Sequence, residues 1–258
     1  MRDHRFPDDA FPLIVAHRGA SATHPENTLP AFEEAIRLGA PAVELDVRLS
    51  RDGVAVVMHD PTAERTTDGT GAVHELSAQE IGALDAGTED APVSVPTLAE
   101  VLDLVSGRAA VALEIKNLPG EPGFETQGET IVRTTHEELE RTMFEGPVLV
   151  LSFNPASIAA SKAIAPAVPT GFLITNVVTP AEALGHAVRV GHDMVLPGSR
   201  DLAPAGEAFV DEVHAAGLRV GTWTVDDPDE IRMFLARGVD AVASNDPAMA
   251  LAARARIA

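Results

Sequence analysis

No cysteine occurs in these 258 residues, which excludes a disulfide framework and any thiolate nucleophile or thiolate metal ligand. That fits a reducing compartment. Basic residues are scarce: 19 Lys and Arg stand against 39 Asp and Glu, a formal net charge of −20. A field of that sign repels nucleic acid and anionic membrane surfaces, so neither is expected as a partner. Long apolar runs are missing too, none approaching the roughly 18 residues of a membrane span. The opening MRDHRFPDDAFP carries charge and proline where a signal peptide needs an apolar core. A soluble, cytoplasmic protein is expected. The apolar fraction of 45% is ordinary for a globular chain, and a chain this long needs no staple to fold.

What the chain does have is a repeated unit. Apolar strands are expected at Leu13–Ala16, Pro41–Val47, Ala110–Ile115, Val148–Ser152, Gly171–Thr175, Asp193–Pro197, Leu218–Val225 and Asp240–Ser244. Helices are expected at about Thr28–Leu38, at 97–105, near 125–143, and beginning near Pro155, Pro180, Pro204, Pro228 and Pro247, since proline suits a first helical turn. Eight strand-then-helix units in a chain of this length indicate a closed (β/α)₈ TIM barrel. A doubly wound open sheet would show a glycine-rich phosphate loop after its first strand, and Gly19-Ala20-Ser21 is not one. Residues 1–258 are therefore expected to form a single domain, with 48–95 inserted after the second strand as a hairpin and cap. Val73, Leu76, Ile81 and Leu84 of that cap are expected to pack against the barrel.

One stretch of the second unit, VELDVRLSRDGVAVVMHD from Val43 to Asp60, concentrates the chemistry. Asp52-Gly53 between apolar runs signals a hairpin, normally with a two-residue loop. That loop would place Asp46 opposite His59, with Glu44 on the same face, all within roughly 5–8 Å.

Barrel active sites form at the C-terminal ends of the strands. Those ends carry His17-Arg18, Glu44 and Asp46, Glu114 and Lys116, Ser152-Phe153 and Trp223. Glu44, Asp46 and Glu114 offer hard oxygen ligands suited to Mg²⁺ or Ca²⁺ rather than zinc. The alternative is that they pair with Arg18, Arg48 and Lys116, which leaves acid in excess. His17 and His59, at strand ends beside the carboxylates, are candidate general acid and base; the other seven histidines read as ordinary surface or core residues. Arg18 and Lys116, on so acidic a protein, suggest a bound anion such as phosphate. Two histidines, a divalent cation and two bases describe phosphoryl chemistry better than glycoside hydrolysis.

HRGASATHPENTLPAFEEAIRLGAPAVELDVRLSRDGVAVVMHD closely resembles the opening of the glycerophosphodiester phosphodiesterase family, and the resemblance continues through ERTTDGTG, VPTLAEVL, LEIKN, LSFNP, TWTV and SNDP. It implies a (β/α)₈ barrel with a small insertion, and hydrolysis of glycerophosphodiesters to an alcohol and glycerol 3-phosphate with a divalent cation. It also implies metal ligation by Glu44, Asp46 and Glu114, acid–base work by His17 and His59, phosphate binding by Arg18 and Lys116, and substrate-facing aromatics at Phe153 and Trp223. Two departures stand out: Asp226 follows Trp-Thr-Val where the family commonly has Asn, and Ser244-Asn245 replaces the frequent Thr-Asp. Glu26-Asn27-Thr28 matches the family, and also reads as a helix-start cap. Another phosphodiesterase on this barrel, acting on lysophospholipids or phosphoinositides, is a rival that needs an apolar surface for an acyl chain. A non-catalytic phosphoester binder is the other rival, although no expected site residue is missing.

Overall fold

The apolar runs become strands because alternate residues face two surfaces that both exclude water. The computed structural model describes residues 4–88, 91–126, 129–174 and 178–256. The expected strand end at Thr175 lies outside the described residues, as do 127–128 of the expected fourth-unit helix, 89–90 of the cap and 1–3 of the N-terminal stretch. Among the described residues the strands are β1 (Leu13–His17), β2 (Ala42–Leu49), β3 (Ala55–Val57), β4 (Ala110–Ile115), β5 (Val148–Ser152), β6 (Thr170–Ile174), β7 (Met194–Pro197), β8 (Arg219–Thr222) and β9 (Ala241–Ser244). The helices are α1 (Leu29–Arg37), α2 (Ala78–Gly82), α3 (Leu98–Val105), α4 (Thr130–Arg141), α5 (Pro155–Ile164), α6 (Pro180–Val190), α7 (Ser199–Ala215), α8 (Pro228–Ala236) and α9 (Pro247–Arg254). Pairing runs β1-β9-β8-β7-β6-β5-β4-β2 and returns to β1, so eight parallel strands close a (β/α)₈ barrel. β3 adds antiparallel to the far half of β2.

Local chemistry places the helices. Proline opens α1, α5, α6, α8 and α9, where its missing N–H costs nothing. Reciprocal capping boxes start α2 at Ser77 and Glu80, α3 at Thr97 and Glu100, and α6 at Thr179 and Glu182. Helix α7 departs from expectation. It begins at Ser199, with Pro204 inside it, and Gly206 breaks the helical geometry at φ +71° and ψ −168°. Proline cannot donate to the preceding turn, and the break at Gly206 takes up the misfit. β8 is shorter than the expected 218–225, because Trp223 leaves the ladder for a single bridge to Gly198.

Outward residues such as Val43, Leu45, Val111 and Leu113 pack on Phe32, Leu102 and Val132 of the helices. Inward residues form a separate apolar cluster that includes Val15, Leu149, Leu173 and Leu196. Bulky branched residues normally fill a barrel lumen, but here Ala42, Ala112, Ala241 and Ala243 take inward positions among them. A cavity of about 500 Å³ results, bounded by His17 and Trp223 at one end of the barrel and by Phe11 and Arg219 at the other. The N-terminal segment lies across that second end. Phe6 packs on Phe11 with ring centres 5.8 Å apart, the Arg219 guanidinium lies 3.8 Å over the Phe11 ring, and Arg219 donates to Asp8 at 2.6 Å.

The hairpin register differs from the sequence expectation by one residue. Val47 pairs with Val57, Arg48 with Val56 and Leu49 with Ala55, so Asp46 lies opposite Met58, not His59. The Gly53 N–H donates to the Ser50 carbonyl and the Ser50 N–H to the Val54 carbonyl, both at 3.0 Å. Residues 51–53 thus form a three-residue loop, with Gly53 left-handed at φ +78°. Asp-Gly serves this loop as well as the two-residue one, because both need positive φ at the glycine. In the cap, Val73 and Ile81 pack with Val56, Met58 and Val95 in a small cluster of their own, joined by Leu76 and Leu84. Their principal partners are therefore the hairpin's outer face and Val95, not the main barrel core.

Candidate active site

The β1–α1 connection carries the first site residues, and its backbone is unusual. Arg18 and Asn27 are both left-handed, at φ +57° and +60°, a conformation that non-glycine residues adopt at some cost. Between them Gly19, at φ +82°, approaches α1 so closely that a Cβ would lie 2.6 Å from the Ala31 carbonyl carbon. Only glycine fits there. The loop so held aims three groups at β2. The Arg18 N–H donates to Glu44 Oε2 at 3.0 Å, Arg18 Nε lies 3.2 Å from Asp46 Oδ2, and Asn27 Nδ2 donates to Asp46 Oδ2 at 2.7 Å. Of Glu26-Asn27-Thr28, only Thr28 caps α1, accepting from the Ala31 N–H. Glu26 accepts from Arg18 Nη1 at 2.9 Å instead.

Parallel pairing sets Asp46 beside Glu114 and His17 beside Glu44. Ligand atoms of Glu44, Asp46 and Glu114 all lie within 4.8 Å of one another, and all three residues are buried. Lys116 Nζ contacts Asp46 Oδ1 at 3.0 Å and also bonds Glu114 Oε1. The expected ion-pair alternative is therefore realised by two of its three bases: Arg18 and Lys116 pair with the acids, whereas Arg48 turns elsewhere. Burial opposes ionisation of every carboxyl in the cluster. At Asp46 the Lys116 and Arg18 charges overcome it and hold the group well below the usual range. At Glu44 burial prevails, reinforced by Asp46, and the carboxyl is pushed up to about 8. Glu114 is pushed up by burial to about 7 despite Lys116. Glu44 Oε1 is buried with no hydrogen-bond partner. A hard, all-oxygen donor set with an unsatisfied buried oxygen fits a divalent cation such as Mg²⁺ or Ca²⁺.

Each histidine is fixed through Nδ1. His17 Nδ1 lies 2.7 Å from Asn245 Oδ1, and the Asn245 amide is itself oriented because Nδ2 donates to Asp226 Oδ2 at 2.6 Å. The two departures noted in the sequence thus meet: Asp226 and Asn245 form one unit, and that unit holds His17. With the amide oxygen accepting, the His17 proton sits on Nδ1, leaving Nε2 3.9 Å from Glu44 Oε2. His59 Nδ1 lies 2.6 Å from Asp60 Oδ1, whose other oxygen takes Arg65 Nε at 2.5 Å. The Arg65 bond, aided by His59, holds the Asp60 carboxyl down to about 2, so it accepts from an Nδ1–H and again leaves Nε2 available. Burial lowers both imidazoles from their usual range, with Arg18 adding to it at His17 and Lys116 at His59.

Phe153 and Trp223 stand edge-to-face on the cavity wall, 5.2 Å between centres, and Lys116 Nζ lies 5.9 Å from the Phe153 ring centre. Trp223 Nε1 donates to the Leu196 carbonyl at 2.8 Å, which fixes the indole. The structure brings eight of the nine residues singled out in the sequence to the cavity wall, with Asp46 directly behind it. Sequence reasoning named Asn27, Arg48, Asp226 and Asn245 without seeing that they orient these residues, and gave Asp60 and Arg65 no role.

The model of the glycerophosphoryl diester phosphodiesterase family matches residues 17–249. A glycerophosphodiester phosphodiesterase of Caldanaerobacter subterraneus is 35% identical over 242 residues, covering 91% of this chain and 94% of that protein. One from Bacillus altitudinis is 32% identical, covering 93% and 97%. Among solved structures, an Oleispira antarctica phosphodiesterase in complex with the product sn-glycerol-3-phosphate superposes with a TM-score of 0.86 at 28% identity, over 96% of this chain and 98% of that one. No helix among the described residues is long and apolar enough to cross a membrane. The family model begins at His17, the first residue of the rim, and runs into the last helix: this chain belongs to the glycerophosphoryl diester phosphodiesterase family and is an enzyme of glycerophosphodiester hydrolysis.

Proposed function

We propose that the protein hydrolyses small glycerophosphodiesters, such as glycerophosphocholine or glycerophosphoethanolamine, to an alcohol and sn-glycerol 3-phosphate. The observation that carries this reading is the buried triad Glu44, Asp46 and Glu114, with its unsatisfied oxygen, flanked by two histidines each tethered through Nδ1. On this reading Glu44, Asp46 and Glu114 hold Mg²⁺ or Ca²⁺. When bound, the cation supplies Lewis-acid charge to the phosphoryl oxygens. Arg18 and Lys116 meet the same oxygens from the protein side. His17 and His59 exchange protons with the nucleophile and the leaving alcohol through Nε2. The nucleophile is water, or the substrate's own glycerol 2-hydroxyl, which expels the alcohol to form a cyclic phosphate that water then opens to glycerol 3-phosphate. Phe153 and Trp223 give the glycerol an apolar wall.

The test is release of glycerol 3-phosphate from glycerophosphocholine and glycerophosphoethanolamine with Mg²⁺ or Ca²⁺, then with chelator. Turnover abolished by chelator and restored by one ion supports the reading; no product with any metal points to a non-catalytic binder.

A second reading is favoured by one observation, the apolar lumen beneath the rim. The cavity of about 500 Å³ that holds the rim continues into this lumen, past Leu149, Leu173 and Leu196, and room there for an acyl chain would make lysophospholipids substrates. Faster turnover of lysophosphatidylcholine than of glycerophosphocholine selects this reading over the first.

A further inference from the structure

Strand pairing stops short of the histidine it would have to aim. β3 ends at Val57, and the Met58 N–H donates to the Asp46 carbonyl at 3.0 Å. Beyond that point contact with β2 passes to a side chain. Arg48 Nε and Nη2 both donate to the His59 carbonyl, at 2.8 and 2.6 Å, and Nη2 also donates to Glu121 Oε2 at 2.8 Å. Arg48 is only 5% exposed. Burying a guanidinium is costly, and here its fork is spent on one main-chain carbonyl, not on the acid cluster two residues away. A planar fork fixes direction as well as distance, which a lysine would not.

We propose that Arg48 is a positioning residue for the phosphodiesterase reaction: by clamping the His59 carbonyl it fixes the imidazole at the rim, in the place that strand register would otherwise have to secure. Two anchors then define the ring, Arg48 on the main chain and Asp60 on Nδ1. The contact to Glu121 ties the same clamp to the segment after β4. This inference rests on the proposed role of His59 in proton transfer.

A double-mutant cycle tests it, with Arg48→Met, Arg48→Lys, His59→Asn and the Arg48→Met/His59→Asn double variant. Steady-state kinetics on glycerophosphocholine, thermal midpoints and calorimetric Mg²⁺ affinity are measured for each. Arg48→Met should lower kcat on the order of 10²-fold, the loss that follows a misplacement of about 1 Å. KM should stay within about threefold and metal affinity should not change. In the His59→Asn background the same substitution should cost nothing further. Arg48→Lys, which keeps the charge and loses the fork, should fall between Met and wild type, and it carries the comparison if the Met variant does not fold. An equal kcat loss in the presence and absence of the imidazole overturns the proposal. So does a loss confined to KM or to metal affinity. Wild-type turnover by His59→Asn alone would instead overturn the role of His59, which is a separate failure.

Discussion

Adding a divalent cation to the metal-free protein should expel protons from the carboxylate cluster. Glu44, at about 8, and Glu114, at about 7, hold protons at neutral pH, whereas Asp46, held low by Lys116 and Arg18, does not. At pH 7 a carboxyl titrating near 8 is about nine-tenths protonated and one near 7 about half. Ligation requires both to be ionised, so roughly one and a half protons should leave per ion bound. The release should approach two at about pH 6 and fall to about a tenth at about pH 9. Calorimetric titration with Mg²⁺ and Ca²⁺ in buffers of differing ionisation enthalpy measures it directly. A companion trend follows in stability. A carboxyl whose folded-state pKa lies above its unfolded value of 4.5 adds stability that is complete below that value and lost as pH rises through the folded one. The metal-free thermal midpoint should therefore decline from about pH 4.5 to about pH 8 and level off above it, and the gain on adding metal should grow over the same window. Release below about 0.3 proton at pH 7, or release that does not fall with pH, would refute the reasoning.

His17→Ala and His59→Ala should each lower kcat about 10²–10⁴-fold with thermal midpoints unchanged; near-normal turnover in either removes that residue from the mechanism. Asn27→Ala removes the amide that donates to Asp46 at 2.7 Å and should weaken metal affinity about 10–100-fold, read by calorimetry; unchanged affinity would show that Asp46 needs no such support. Asn245→Asp sets two carboxylates about where a 2.6 Å hydrogen bond now joins Asn245 to Asp226 and should cost about tenfold in kcat by displacing His17. The exchange Asp226→Asn/Asn245→Asp should recover most of that loss, and a double variant no better than the single one would mean the two residues do not act as a pair.

The barrel was legible because its signals are local and repeat. Apolar strands of the right length and proline at first turns each specify an element without long-range information, and β4 and β5 lie where the pattern places them. The metal-type acids were legible for the opposite reason: Glu44, Asp46 and Glu114 interrupt apolar strands, where a charge has to be explained. The hairpin register was not, since one glycine satisfies two loop lengths that differ by a residue, and a one-residue slip moves every partner. The orienting residues were hidden for a third reason. Asn27 and Asp60 sit in polar connections where such residues usually cap helices or make turns, and Asn245 meets His17 from 228 positions away. The only signal for that last pair lay in Asp226 and Asn245 together, two departures that compensate in space.

Charge along the rim explains why the site is built from so many paired groups on so acidic a chain. Salt bridges link Asp46 to Arg18, Arg18 to Glu26, Glu26 to Arg65 and Arg65 to Asp60, and a hydrogen bond joins Asp60 to His59, with separations of 2.5 to 3.2 Å. Lys116 joins Asp46 and Glu114 to the same system. Single exposed pairs contribute little to stability, but a continuous chain of forked contacts restrains every member at once. Glu26, Glu44, Asp46, Asp60 and Glu114 set five carboxyls against the three cations Arg18, Arg65 and Lys116. Fully ionised, the rim would carry a formal charge of about −2 and would repel a phosphodiester anion. Protons on Glu44 and Glu114, about one and a half at pH 7, bring it near neutrality without metal, and a divalent cation that displaces them leaves the total nearly unchanged. The buried acids therefore keep the cluster near neutral in either state, and on the proposed reading the exchange replaces protons shared between two carboxyls with one concentrated charge where the phosphoryl oxygens must bind.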